Sequence, residues 1–167
     1  PVMCHLDWPP PNTQDVVNRL RPGDVLTHCF RPFPGAPTQS NGKIKEEIME
    51  ARERGVIFDI GHGVGSFGFA TAETMLDAGF LPDAISSDVH SLSIKGPAYD
   101  QLVTLSKFMH LGMELKDIIA ASTTGPAKAI QRPDLGTLSP GSIGDATIIE
   151  IENATTNYVD SLGETRV

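Results

Sequence analysis

Four times in succession a short apolar run is followed by a helical run, and this alternation constrains the fold more than any other feature of the chain. "PVMCHL" precedes "NTQDVVNRL", a helix with Asn12 or Thr13 as its N-cap and Pro22-Gly23 as its stop. "DVLTHCF" precedes "KIKEEIMEARER", across a loop rich in Pro, Gly and Ser from Arg31 to Gly42, and Gly55 closes that helix. "VIFDIG" precedes a helix near "FATAETMLDA", closed by Gly79. "DAISS" precedes "PAYDQLVTLSKFMHLG", after which "ELKDIIAASTTGPAKAI" reads as two shorter helices. Strands separated by helices pair in parallel, because a parallel crossover needs about a dozen residues. Short, almost wholly apolar strands suit a sheet covered by helices. The expected class is therefore α/β over residues 1–135. From Gly136 the texture changes to alternating runs between turn residues, as in "GTLSPGSIGDATIIEI" and "NYVDSLGE", so residues 136–167 are expected to form part of a small antiparallel β domain.

The four strands end alike. They read "VMCHLD", "VLTHCF", "FDIGHG" and "ISSDVH", and each brings His5, His28, His62 or Asp88 to its C-terminal edge. Taken singly, each has an ordinary explanation: a hydrogen-bonded strand histidine, or a turn or cap aspartate. Taken together they form a set at the edge where parallel α/β barrels assemble their active sites. Neutral imidazole and carboxylate are the usual ligands of catalytic Zn²⁺, which brings the pKa of water towards 7 and makes hydroxide available at neutral pH. A carboxylate such as Asp88 can take the proton of that water and pass it to a leaving group. Cys4 and Cys29 adjoin two of the histidines, but adjacent strand side chains face opposite ways, so both are expected to be buried core thiols and not ligands. His90 lies two residues beyond Asp88 and is a candidate for substrate contact or a plain loop residue. Gly61, Gly63, Gly65 and Gly68 lack the lysine of a phosphate loop and read as places where backbone approaches the site closely.

Composition narrows the partners. Thirteen basic residues against 21 acidic ones leave a net charge of −8 with no basic cluster, which argues against a nucleic-acid partner. No apolar run approaches the roughly 20 residues of a membrane helix, so no membrane partner is expected. Two cysteines make no disulfide framework, and a cytoplasmic location is expected. The chain starts inside a strand, without an initiator Met, and reads as a piece of a longer protein.

The order of His5, His28 and "SSDVH", followed by "STTGPAKAI" and "LGTLSPGSIGDATIIEI", resembles the amidohydrolase superfamily. "FDIGHGVGSFGF" and "PDAISSDVHS" are similar to its dihydroorotase-like deacetylase branch, metal-dependent hydrolases of N-acyl or O-acyl small molecules. The resemblance implies a (β/α)₈ barrel of which this chain supplies strands 5–8, plus the start of a small β-sandwich. It implies two Zn²⁺ ions in the complete site, with His5 and His28 on the more exposed ion. Asp88 is then a ligand of the buried ion and the general base. His62, with Gly63 and His90, is implied to contact substrate or to support a ligand from behind. The family's His-x-His and strand-end lysine have no counterpart here, so the missing N-terminal half of the barrel is the expected partner. The half barrel's exposed sheet edges also make a homo-oligomer an expected outcome. The alternative is a non-catalytic α/β relative that keeps the fold without metals.

Overall fold

The computed structural model describes residues 1–167. Strands β1 (Met3–His5), β2 (Val25–Thr27) and β3 (Ile57–Phe58) form one parallel sheet in the order β1-β2-β3. Its register sets His5 opposite Thr27 and Leu26 opposite Phe58. The expected fourth strand is reduced to one parallel bridge between Asp59 and Ala84. Its backbone nevertheless runs on beside β3: Ile60 N donates to Ala84 O at 3.0 Å and His62 N to Ser86 O at 3.1 Å. Consecutive strands are thus spatial neighbours.

The crossovers are helical. α1 (Thr13–Val17) joins β1 to β2, α2 (Glu46–Glu53) joins β2 to β3, and α3 (Phe69–Asp77) leads to the fourth extended segment. α4 (Gln101–His110), α5 (Leu115–Ser122) and α6 (Thr124–Ala129) follow, the last two being the pair of short helices expected there. Asp100 caps α4 by accepting from Val103 N at 2.7 Å, and Gly112 ends that turn at φ +87°, where a side chain would be strained.

The sheet has two unlike faces. Leu26, Phe58, Ile60 and Ile85 turn to the helices and join Phe30, Ile48, Phe67, Phe69, Met75 and Phe108 in the main core. The opposite face carries a second, smaller apolar group of Val25, Ile57 and Ala129. One step further towards the strand ends, that face becomes polar, with Thr27, Asp59 and Ser86 joined by hydrogen bonds.

Two expectations need correction here. Cys29 is buried, but Cys4 is only half-buried, because β1 has a neighbour on one side alone. Residues 136–157 contain no strand, and Ile148 is 97% exposed: no neighbouring strand among these residues offers the "TIIEI" run a hydrogen-bonding edge. The antiparallel texture is realised only in β4 (Tyr158–Val159) and β5 (Thr165–Arg166). That hairpin docks on α3: Asp160 Oδ2 accepts from Phe69 N at 2.9 Å, and Arg166 grips Glu73 at 2.7 and 3.1 Å. No helix is long and apolar enough to cross a membrane.

Candidate metal centre

His5 ends β1 and His28 follows β2, so parallel pairing brings both to the same edge of the sheet. His28 Nε2 stands 2.7 Å from His5 Nδ1, with the rings edge to face and their centroids 4.3 Å apart. His28 Nδ1 lies 2.6 Å from Gly61 O. A carbonyl oxygen can only accept, so Nδ1 carries the proton and Nε2 keeps its lone pair. His28 is 7% exposed, and burial holds its pKa below the usual value, which keeps the ring neutral.

Two nitrogens bound to one Zn²⁺ at about 2.0–2.1 Å in tetrahedral geometry stand about 3.3 Å apart, so the 2.7 Å pair, hydrogen-bonded as it stands, needs to open by only about 0.6 Å to take the ion. The histidine pair, with its fixed tautomer and converging nitrogens, fits such an ion. No third His, Cys, Asp or Glu side chain joins them in a cluster able to hold a metal. Asp88 is exposed and stands apart from the pair, although its charge reaches His28.

Four non-glycine residues have positive φ, and His28 (62°) and Asp88 (45°) are two of them. Left-handed backbone is costly for residues with a Cβ and persists where the surroundings over-determine it. At Asp88 the neighbour is Gly63, which is at φ +53° and donates to Ser87 O at 3.0 Å. A Cβ on Gly63 would sit 2.6 Å from Asp88 Oδ2, so the carboxylate rests directly over the glycine.

His62 and His90 do not join this site. His62 is wholly buried, stacked on Phe67 at 4.7 Å, with its Nε2 accepting from Lys107 Nζ at 2.8 Å. Its ring is held in the core, where Lys107 supplies its polar partner, and it does not meet the His5–His28 pair. His90 closes a turn, with its N donating to Ser93 Oγ at 3.0 Å and its Nδ1 accepting from Leu92 N at 3.3 Å.

Sequence reasoning passed over two residues. Lys107 sits in "TLSKFMH", where nothing distinguishes it from a solvated helix lysine. Asp59 did leave a signal: a carboxylate within the otherwise apolar "VIFDIG" run.

The amidohydrolase family model matches residues 34–165. A deacetylase of Enterococcus faecalis is 38% identical over the whole of this chain and 46% of its own length. A deacetylase of Brucella anthropi is 36% identical over 98% of this chain and 41% of its own length. The crystal structure of an adenine deaminase superposes with a TM-score of 0.94 at 36% identity, over 98% of this chain and 45% of that one. That of a dihydroorotase superposes at 0.83 and 33% identity, over 98% and 43%. The chain thus spans less than half the length of the curated relatives it matches.

Proposed function

The chain belongs to the amidohydrolase family, and from that premise we propose that it is the C-terminal part of a metal-dependent hydrolase of small N-acyl or O-acyl compounds. β1, β2, β3 and the extended segment at 84–87 are strands 5 to 8 of a (β/α)₈ barrel, and residues 136–167 belong to a flanking β domain. The observation that carries the reading is the 2.7 Å approach of His5 Nδ1 and His28 Nε2 at adjacent strand ends. His5 and His28 would hold one divalent ion, Zn²⁺ by the chemistry of its ligands, with further donors supplied by the rest of the protein. Bound there, the ion supplies a Lewis acid and nucleophilic hydroxide at neutral pH.

The chain's own residues do the rest. Gly61 O holds the Nδ1 proton of His28, so that Nε2 stays free to ligate. Asp88, raised on Gly63, takes a proton from the attacking water as the new C–O bond forms. It then returns that proton to the leaving nitrogen or oxygen as the acyl bond breaks, so the carboxylate is restored each turnover. Deacetylase relatives support an acyl substrate, and the deaminase and dihydroorotase structures support C–N bond cleavage in the same frame.

The test is metal analysis of the full-length protein together with hydrolysis of a panel of N-acetyl and O-acetyl compounds, before and after chelation. Stoichiometric Zn²⁺ and chelator-sensitive release of acetate are expected. A metal-free protein inert to the whole panel would leave the non-catalytic alternative standing.

A further inference from the structure

Beneath the strand ends lies a carboxylate to which nothing above gives a task. Asp59 is 4% exposed, on the sheet face opposite the main core. Its Oδ2 accepts from Thr27 Oγ1 at 2.6 Å and from Ser86 Oγ at 2.8 Å. Burial pushes its pKa up, against the two hydroxyls that favour the charged form. A fold gains little from such a group, because burying a carboxylate carries a desolvation cost that its hydrogen bonds must first offset. The same face one step lower is built from Val25 and Ile57, so the sheet accommodates apolar side chains there.

What distinguishes the position of Asp59 is its relation to His28. Ser86 Oγ, fixed by Asp59, accepts from Gly61 N at 3.1 Å, and Gly61 O accepts the Nδ1 proton of His28 at 2.6 Å. Thr27, whose hydroxyl Asp59 holds, immediately precedes His28. On its other side Cys29 N donates to the main-chain oxygen of Asp59 at 3.0 Å. The left-handed backbone of His28 is therefore gripped before, behind and through its ring, and all three grips come from residues 59–61.

We propose that Asp59 is a positioning residue for the ligand His28, setting its ring direction and its free Nε2 through Thr27, Ser86 and the backbone of Gly61. The proposal rests on the metal reading above. Supporting groups of this kind are worth about 10–100-fold in metal affinity. Asp59 touches no substrate; it acts through His28 alone.

The experiment uses the full-length protein, stripped of metal and titrated with Zn²⁺ against a chromophoric chelator. The visible absorption of its Co²⁺ form reports the ligand field directly. Asp59→Asn, Ser86→Ala and Thr27→Val are each expected to weaken Zn²⁺ binding by about 10–100-fold and to alter the Co²⁺ bands. Thr27→Ser, which keeps the hydroxyl, restores most of what Thr27→Val loses. Affinity within about twofold of the parent in both Asp59→Asn and Ser86→Ala, with unchanged Co²⁺ bands, would overturn the proposal even if both variants melted earlier. If Asp59→Asn does not fold, Ser86→Ala and Thr27→Val decide by the same criteria. A parent that takes up no metal overturns the metal reading and this proposal with it, whereas a metal-binding parent with indifferent variants overturns this proposal alone.

Discussion

Lys107 Nζ lies 2.8 Å from His62 Nε2, and neither residue reaches solvent. The ammonium's other two protons go to Pro97 O at 2.7 Å and Val159 O at 2.6 Å, so its three donors are satisfied. One side chain thereby ties the loop after β3, the loop leading into α4 and the C-terminal hairpin. Lys107→Met would leave three buried acceptors without a donor. A loss of about 2–5 kcal/mol is expected in chemical denaturation of the full-length protein. A loss below about 1 kcal/mol would show that the loops are held by other contacts.

The same pair makes stability sensitive to acid. Burial, and then the charge of Lys107, lower the pKa of His62 from 6.5 to about 4. Between those values the unfolded chain takes up a proton that the folded chain refuses, so stability falls as pH drops through this window, by on the order of 3 kcal/mol from this group. Lys107, lowered by burial from 10.5 to about 8, acts in a separate window: its contribution rises as pH climbs from 8 towards 10.5. Unfolding free energies at pH 7 and pH 4.5, compared between the parent and His62→Gln, isolate the acid term. The variant should lose less on acidification, and parallel losses would refute the assignment.

Gly61→Ala tests how tightly the site is built. Gly61 is at φ +49°, and a Cβ there would stand 2.7 Å from His28 Nδ1 while striking the Thr27 hydroxyl. The ring has no room to retreat without giving up Gly61 O. Zn²⁺ affinity is expected to fall by at least about tenfold, beyond the modest stability cost of placing alanine in left-handed backbone. Chelator competition measures the first and thermal melting the second. Unaltered affinity would mean that the ring of His28 is less constrained than its contacts indicate.

Asp88→Asn separates proton transfer from architecture. The amide keeps the carboxylate's size over Gly63 but cannot act as a base, so kcat should fall by about 10²–10⁴-fold with metal content largely retained. Steady-state kinetics and metal analysis on the same preparation are the check. Turnover within a few-fold of the parent would reduce Asp88 to a turn residue.

Much of this was legible in the chain, for a physical reason. His5, His28 and Asp88 stand out because each ends an apolar run, and a parallel sheet must carry consecutive run ends to one edge. Glycine stops at Gly55 and Gly79 marked the ends of α2 and α3, and "ELKDIIAASTTGPAKAI" reads as the two short helices that α5 and α6 are. What stayed hidden depends on partners distant in sequence. His62 looked like a member of the strand-end set because its one-dimensional position matches theirs. Only Lys107, 45 positions later, turns it inwards. The "TIIEI" run has the alternation of a strand, yet alternation supplies no hydrogen-bonding edge, and the run remains unpaired.

The carboxylate of Asp160 reaches back 91 positions to hold the first amide of α3. During synthesis the ribosome therefore makes α3 long before the group that satisfies its N-terminus exists. Until residue 160 emerges, that helix start must rely on water. Completion of the third crossover is thus timed by elongation, and a chain stalled after α6 would carry all its parallel strands while still lacking the clasp on α3.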